Sequence, residues 1–160
     1  MVVNPTAENI DLSLAALFAG WAMADEVQRR LTADGFGELR FNDGLVIQHV
    51  LSGPLSITML AERMNVTQQA ASKAVVDLER RGLLTREPSL VDARVKLLRL
   101  TEYGEAAVDA ARRHRAALDR ELASEFGADR VAETRLLLAQ LLTRFNVGDS
   151  IRRRTIRPPI

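Results

Sequence analysis

The sequence predicts a mainly helical fold that carries one small β-hairpin, an α+β arrangement. Two observations lead to this prediction. Along most of the chain, apolar residues recur at steps of three and four, the spacing that gives a helix one buried face. Between residues 83 and 101 the spacing changes to about two, which is the period of a β-strand. A length of 160 residues fits about one domain with extended helical arms.

The N-terminal segment is predicted to form a long helix that ends at Gly35 and Gly37. Its apolar positions form one stripe close to a heptad seam: Ile10, Leu14, Leu17, Trp21, Ala24 and Leu31. Acidic Glu8 and Asp11 are placed in its first turn, where the helix dipole stabilises negative charge. A second helix is predicted over about 39–51, before the turn sequence SGP.

Two further helices, separated by a short turn, are predicted between residues 56 and 82. Ser56 is a good N-cap for the first, and Asn65 breaks it. Thr67 caps the second, which stops at Gly82. Their predicted buried residues are Leu60, Ala61, Met64, Ala71, Val75 and Leu78. So short a connection describes a helix-turn-helix, which leaves the N-terminal face of the second helix protruding.

The hairpin and the C-terminal helices follow. LLTRE and RVKLLRLT read as two strands, with PSLVDA as the loop between them. Thr101 caps a helix that runs to about residue 124, and FGAD at 126–129 breaks it. A last helix is predicted over about 129–147, with apolar Val131, Leu137, Leu138, Leu141, Leu142 and Phe145. The tail RRRTIRPPI is predicted to be irregular because its two prolines forbid a helix.

Residues 60–104 combine several motifs. The first helix reads LAERM-V and the second T-x-x-x-S-K-x-V-x-x-L-E-x-x-G-L, followed by D-A-R at the hairpin tip and by L-T-x-x-G (Leu100, Thr101, Gly104). A helix-turn-helix followed by a two-stranded hairpin, or wing, is a winged helix. At this spacing the sequence resembles the MarR (multiple antibiotic resistance regulator) family of bacterial transcription factors. The resemblance implies a homodimer, with each winged lobe on one half-site of a pseudo-palindromic double-stranded DNA operator.

The organisation that follows has four parts. Residues 1–36 are the N-terminal dimerisation helix, 37–101 the winged helix-turn-helix lobe, 102–151 the C-terminal helices that complete the dimerisation region, and 152–160 an Arg-rich tail. Apolar stripes on the first and last helices have no obvious partner inside a small winged-helix core, which is typical of an interface. The predicted interface residues are Ile10, Leu14, Leu17, Leu138, Leu142 and Phe145. The alternative is that both stripes pack into one monomeric core.

The start of the second helix of the helix-turn-helix carries the candidate DNA contacts. Thr67 at the cap can reach a phosphate, because a helix N-terminus points N–H groups at an anion. Gln68 and Gln69 carry amides that can pair with adenine N6 and N7 in the major groove. Ser72 suits a phosphate or a close base edge, and Lys73 suits guanine or phosphate. The alternative is a solvated first turn with no partner.

The wing carries a second set of candidates. The resemblance implies that Arg94 inserts into the minor groove and that Asp92 braces the wing or the arginine itself. Inserted arginine is favoured where a narrow A·T-rich groove concentrates negative potential. Lys96 is expected to assist on the DNA backbone. The alternative is an ordinary surface ion pair, worth about 0–1 kcal/mol.

Charge distribution agrees with a local basic surface. Residues 1–66 hold four basic and eight acidic side chains, whereas residues 67–104 hold seven basic and five acidic ones. The tail at 152–160 adds four arginines without an acidic residue, and it could grip phosphate, fold over the partner subunit or be disordered. Neutralising phosphates is what DNA affinity requires.

Several classes of function are disfavoured. The chain has no cysteine, which excludes disulfides, thiol switches and thiolate metal sites, and its two histidines, His49 and His114, form no ligand cluster. We therefore expect no metal and no cofactor. Since no nucleophile–base pair or glycine-rich phosphate loop is present, we expect no enzyme. The absence of a signal peptide and of an apolar stretch of membrane-spanning length indicates a cytoplasmic protein.

An effector is expected from the resemblance. Members of the family usually bind a ligand in a cleft between the dimer helices and the winged lobe. Since thiol and metal sensing are disfavoured, we expect a small aromatic or amphipathic molecule. Candidate ligand-binding residues are Phe18, Trp21 and His49, although each also fits a plain core position. The function predicted is a sequence-specific repressor whose operator binding is modulated by such a ligand. The alternative is a winged helix that serves in protein interaction or in non-specific DNA binding, without a ligand.

Overall fold

The computed structural model describes residues 5–153 and Thr155. Its architecture is mainly helical with one antiparallel β-hairpin, so the predicted fold class is confirmed. A 3₁₀ turn, Phe41–Asp43, lies between the first two helices. The helices and strands are α1 (Leu12–Ala33), α2 (Gly44–Val50), α3 (Ile57–Met64), α4 (Gln68–Arg80), β1 (Leu84–Pro88), β2 (Lys96–Leu100), α5 (Glu102–Phe126), α6 (Ala128–Arg144) and α7 (Gly148–Arg152).

Helix α1 begins later than the apolar stripe predicts. The carboxylate of Asp11 accepts a hydrogen bond from the Leu14 N–H (3.1 Å), which makes Asp11 the N-cap. Ile10 and Glu8 therefore precede the helix, and the prediction that both belong to it is wrong. Only the C-terminal half of α1 is anchored in the core, through buried Val27 and Leu31. The N-terminal half projects its apolar side chains into solvent.

The segment predicted as one helix over 39–51 is divided. The Asp43 carboxylate accepts the Arg40 N–H (2.7 Å), and this local bond closes the 3₁₀ turn before α2 begins. Helix α2 is consequently short. Its buried side chains are Val46, Ile47, His49 and Val50.

The helix-turn-helix is confirmed at its caps and at its turn. Ser56 Oγ accepts the Met59 N–H (3.3 Å), and Thr67 Oγ1 accepts the Ala70 N–H (3.1 Å). Asn65 ends α3 with a left-handed φ of 53°, a conformation that asparagine tolerates well. The predicted core faces of α3 and α4 are buried except for Met64, which is half-buried.

The hairpin pairs Leu84 with Leu100 and Pro88 with Lys96. Leu98 of β2 is fully buried, and its N–H donates to the Leu55 carbonyl (2.9 Å) just before α3. The wing is therefore joined to the helix-turn-helix at its base, while its tip extends beyond the core.

The L-T-x-x-G motif forms the junction between β2 and α5. The Thr101 hydroxyl accepts the Gly104 N–H (2.9 Å) and donates to the Gly82 carbonyl (2.5 Å), so it caps α5 and holds the turn after α4. A Cβ at position 104 would lie 2.2 Å from the Leu83 carbonyl oxygen. Glycine is required there because backbone packs directly on backbone.

The C-terminal helices depart from prediction at their end. Gly127, with a φ of 95°, separates α5 from α6, as predicted. Helix α6 stops at Arg144 instead of about 147, because Asn146 adopts a φ of 58°. Phe145 is therefore the C-cap, and the short helix α7 that follows was not predicted. Among the described helices, none is long and apolar enough to cross a membrane.

Candidate DNA-binding surface

The polar side chains on the first two turns of α4 differ in whether they are already hydrogen-bonded. Thr67 uses its hydroxyl as the helix cap, and the Gln68 amide donates to Thr58 Oγ1 (3.3 Å) on α3. Gln69 and Lys73 are exposed, and neither makes a side-chain hydrogen bond to any residue that the structure describes. Ser72 is half-buried beside them. Gln69 and Lys73 therefore carry unbonded donors, whereas the Gln68 amide is already held by Thr58.

Val76 extends the same face and was missed by the sequence reasoning. It lies three residues after Lys73 and seven after Gln69, the spacing of neighbours on one helix face. Its side chain is 52% exposed although α4 is otherwise well packed at its core positions. Its helical spacing from Gln69 and Lys73 was sufficient to place Val76 on this face. An apolar side chain here can contact a thymine methyl group.

A buried ion cluster holds the opposite end of α4. The Arg81 guanidinium, only 6% exposed, contacts the Asp43 carboxylate (2.6 Å) and the Asp77 carboxylate (2.7 Å) and donates to the Glu38 carbonyl (2.5 Å). Asp43 in particular raises the pKa of Arg81, and hydrogen bonds from Arg80 and Arg81 lower the pKa of Asp77. The cluster was not predicted, because Asp43 and Arg81 are far apart in sequence. It joins the C-terminal end of α4 to the 3₁₀ turn and to the segment before it.

The wing tip is shaped by its own hydrogen bonds. The Asp92 carboxylate accepts the Arg94 backbone N–H (3.0 Å), so Asp92 braces the loop backbone. Arg94 and Lys96 are exposed, and neither side chain is bonded within the described part of the chain. Arg99, a third basic residue of the hairpin, is paired with Glu87 (2.6 Å).

A second ion pair connects the wing with α4. The Arg86 guanidinium of β1 makes two hydrogen bonds to the Glu79 carboxylate of α4 (2.9 and 2.8 Å). This ion pair joins β1 of the wing to α4, and unbonded donors lie on both elements. Such donors can bind phosphate oxygens and base edges on the same duplex.

The candidate ligand residues lie at two separate places. Phe18 and Trp21 are exposed on the single chain, with ring centroids 5.7 Å apart. Trp21 lines a cavity of about 400 Å³ together with Ala24, Asp25, Gln28, Arg40 and Phe41. His49 is buried and lines a different cavity of about 1130 Å³ between α3 and the C-terminal helices. Over the described residues, no group of three side chains could hold a metal.

The predicted interface residues are largely exposed on the chain. Ile10 is half-buried; the others leave a large part of their apolar surface in solvent: Leu14, Leu17, Leu138, Leu142 and Phe145. No side chain of α6 is buried. Of the Arg-rich tail, Arg152 pairs with Asp149, and residues 154 and 156–160 lie outside the described residues.

Comparisons with known proteins agree with this geometry. Residues 39–95 match the sequence model described as MarR family. The YusO protein from Bacillus subtilis is 25% identical, with a TM-score of 0.63 over 85% of this chain and 94% of that one. The reduced form of MarR from E. coli (21%, TM-score 0.62, 87% and 99% covered) shares the fold, as does a MepR mutant from S. aureus bound to an oligodeoxyribonucleotide (18%, 0.60, 86% and 99%). No curated protein sequence matches the chain significantly.

Proposed function

We propose that this chain, whose residues 39–95 match the MarR family model, is a MarR-family winged-helix protein that binds operator DNA as a homodimer and represses transcription until a small ligand releases it. The family match supports a DNA-binding transcriptional regulator. Dimerisation, repression and the ligand are the finer parts of the proposal. Dimerisation and the ligand each rest on an observation of their own, whereas repression follows from the resemblance to the MarR family.

The observation that carries DNA binding is the pair of unbonded donor sets on one lobe. Gln69 and Lys73 on α4 are free to form new hydrogen bonds, and Arg94 on the wing is free as well. A helix fits the major groove, where glutamine pairs with adenine and lysine with guanine or phosphate. Arg94 would then reach the adjacent minor groove, where a narrow A·T tract attracts it.

The other candidate residues take supporting roles in this proposal. Thr67 caps α4 and places the helix N-terminus where a phosphate oxygen can accept its N–H groups. The Gln68 amide group is held by Thr58, so its carbonyl oxygen is presented in a defined direction. Ser72 and Lys96 would contact the DNA backbone, and Asp92 would keep the wing tip in shape.

Exposed apolar residues on α1 and α6 support the homodimer. Leu14 and Leu17 lie on the part of α1 beyond the core, and Leu138 and Leu142 lie on a helix without buried side chains. Exposed apolar side chains along a helix face in such number are typical of an interface. A two-fold dimer would present two equal lobes to a pseudo-palindromic operator.

The cavity beside Trp21 supports a ligand of small aromatic or amphipathic type. Trp21 and Phe41 supply aromatic surface, while Arg40 can pair with an anionic group. The cavity adjoins the 3₁₀ turn, whose Asp43 binds Arg81 at the end of α4. A ligand that displaces this turn would tilt the recognition helix and weaken operator binding.

Titration of the full chain against its own upstream DNA at several salt concentrations tests the proposal. We expect a dissociation constant between about 10⁻⁸ and 10⁻¹¹ M for a specific site, tighter by about a thousand-fold or more than for unrelated DNA. Equal affinity for both duplexes would favour the non-specific module. No binding to either would favour a protein-interaction module, which the polar face of α4 argues against.

A further inference from the structure

Two consecutive apolar side chains at the wing tip stand fully in solvent. Leu90 is 101% exposed and Val91 is 97% exposed, whereas Phe41, the next most exposed large apolar residue among those described, is at 74%. A single exposed apolar residue is ordinary on a protein surface. Two in sequence, both without any contact that covers them and both close to Arg94, indicate a surface that is covered on binding.

The loop holds these side chains outward through its backbone hydrogen bonds. Ser89 Oγ accepts the Val91 N–H (3.2 Å), and the Ser89 N–H donates to the Val95 carbonyl (2.8 Å). The Val95 N–H in turn donates to the Asp92 carbonyl (2.9 Å). Since the tip is closed by these bonds, Leu90 and Val91 cannot fold back onto the hairpin without breaking them.

We propose that Leu90 and Val91 form an apolar contact with the operator minor groove and select A·T base pairs there. This inference rests on the proposed function, because it requires the wing to meet DNA. Leu90 and Val91 are not among the polar residues of α4 and the wing that are the candidate DNA contacts. The cationic Arg94 and Lys96 beside them complement the phosphates on either side of the groove, which favours DNA over a second copy of this chain as the occupant.

The chemistry of the minor groove explains the selection. Its floor carries only acceptors at an A·T pair, whereas a G·C pair adds the guanine N2 amino group. An apolar side chain pressed against that amino group removes its water and offers no acceptor in return, which is unfavourable.

The experiment uses duplexes selected by the full-length protein from a random-sequence pool. At the base pairs beside the Arg94 contact, A·T is replaced by G·C or by inosine·cytosine, which has no N2 amino group. Affinities are compared for the unchanged protein, for the double variant Leu90→Ser with Val91→Ser, and for Leu51→Ser as an exposed apolar control on the end of α2. Thermal unfolding of each variant is measured in parallel.

For the unchanged protein, we expect G·C to weaken binding about ten-fold and inosine·cytosine to restore it. The double variant should lose this discrimination but keep its salt dependence, because it keeps its cations. Leu51→Ser should behave as the unchanged protein does. Equal discrimination in the double variant would overturn the inference while leaving DNA binding intact. Failure of the unchanged protein to select any duplex would instead contradict the proposed function.

Discussion

Gln68 and Gln69 are adjacent in sequence but do not have the same freedom. The Gln68 amide donates to Thr58, and Gln69 makes no such bond within the described residues. A side chain that is already oriented loses less conformational entropy when it binds, whereas a free one can adapt to different base pairs. Gln68 therefore suits a contact common to many sites, and Gln69 suits one that varies with sequence.

Arg94 and Arg99 carry the same positive charge on the same hairpin. Replacing each in turn therefore distinguishes a specific DNA contact from an effect of net charge. We expect Arg94→Ala to weaken operator binding about ten-fold or more and to lower the salt slope by about one. Arg99→Ala removes an exposed partner of Glu87 and should change affinity by a few-fold at most. Mobility-shift titrations at several salt concentrations measure the affinity and the salt slope of each variant. The unfolding temperature of either variant should fall by no more than a few degrees. Equal losses for the two variants would mean that only net charge matters.

At the scale of elements, two ion pairs hold the C-terminal end of α4. Arg81 joins it to the 3₁₀ turn, and the Glu79–Arg86 pair joins it to the wing. These links connect α4 directly to the 3₁₀ turn and to β1 of the wing. Under the proposed function, a ligand that changes the turn near Arg40 would act on α4 through the Asp43–Arg81 ion pair.

The junction before α5 is the least tolerant element boundary. Gly104→Ala should destabilise the protein by about 1–3 kcal/mol, because the new methyl group would meet the Leu83 carbonyl oxygen. Gly44→Ala is the matched control, since a Cβ there meets nothing within 4 Å and the residue already has helical φ. It should be neutral or slightly stabilising. Chemical denaturation of both variants checks this, and a Gly104→Ala protein as stable as the original would contradict it.

The helix pair α1 and α5 should lose stability in acid. Hydrogen bonds from Arg30 (2.6 and 2.9 Å) lower the pKa of Glu121 below its ordinary value of 4.5. A carboxyl group with a lowered folded-state pKa stabilises the protein fully above 4.5, and this contribution is lost as the pH falls below that value. Glu121→Gln should therefore unfold more easily than the original at neutral pH and lose less on acidification.

The control for this prediction lies on the same helix. Glu125 makes no ion pair with any described residue, so Glu125→Gln should follow the original protein at every pH. Thermal unfolding from neutral pH to below 4.5 distinguishes the two variants. If both respond alike, the Arg30–Glu121 pair contributes nothing measurable.

At the scale of the whole molecule, local signals predicted the elements, and distant contacts produced the corrections. Caps such as Ser56, Thr67 and Thr101 act within one turn, so sequence spacing was sufficient to place them. The Arg81 cluster depends on Asp43, which only the folded chain brings near. Helix ends at Asn146 and at Asp11 were displaced by backbone conformation and capping, which apolar spacing does not report.

The oligomeric state is also a property of the whole molecule. Measuring it tests whether α6 is a dimerisation helix outside the winged lobe. Replacing Leu138 and Leu142 by glutamate places two charges on the apolar face of α6, where burial between subunits would be strongly unfavourable. We expect sedimentation velocity to show a dimer for the original chain and a monomer for this variant, with operator affinity reduced at least about a hundred-fold because one half-site contact is lost. Leu51→Glu, an equally exposed apolar position on the end of α2, should remain dimeric and bind DNA. A Leu138→Glu, Leu142→Glu variant that stays dimeric would mean that α6 does not form the interface.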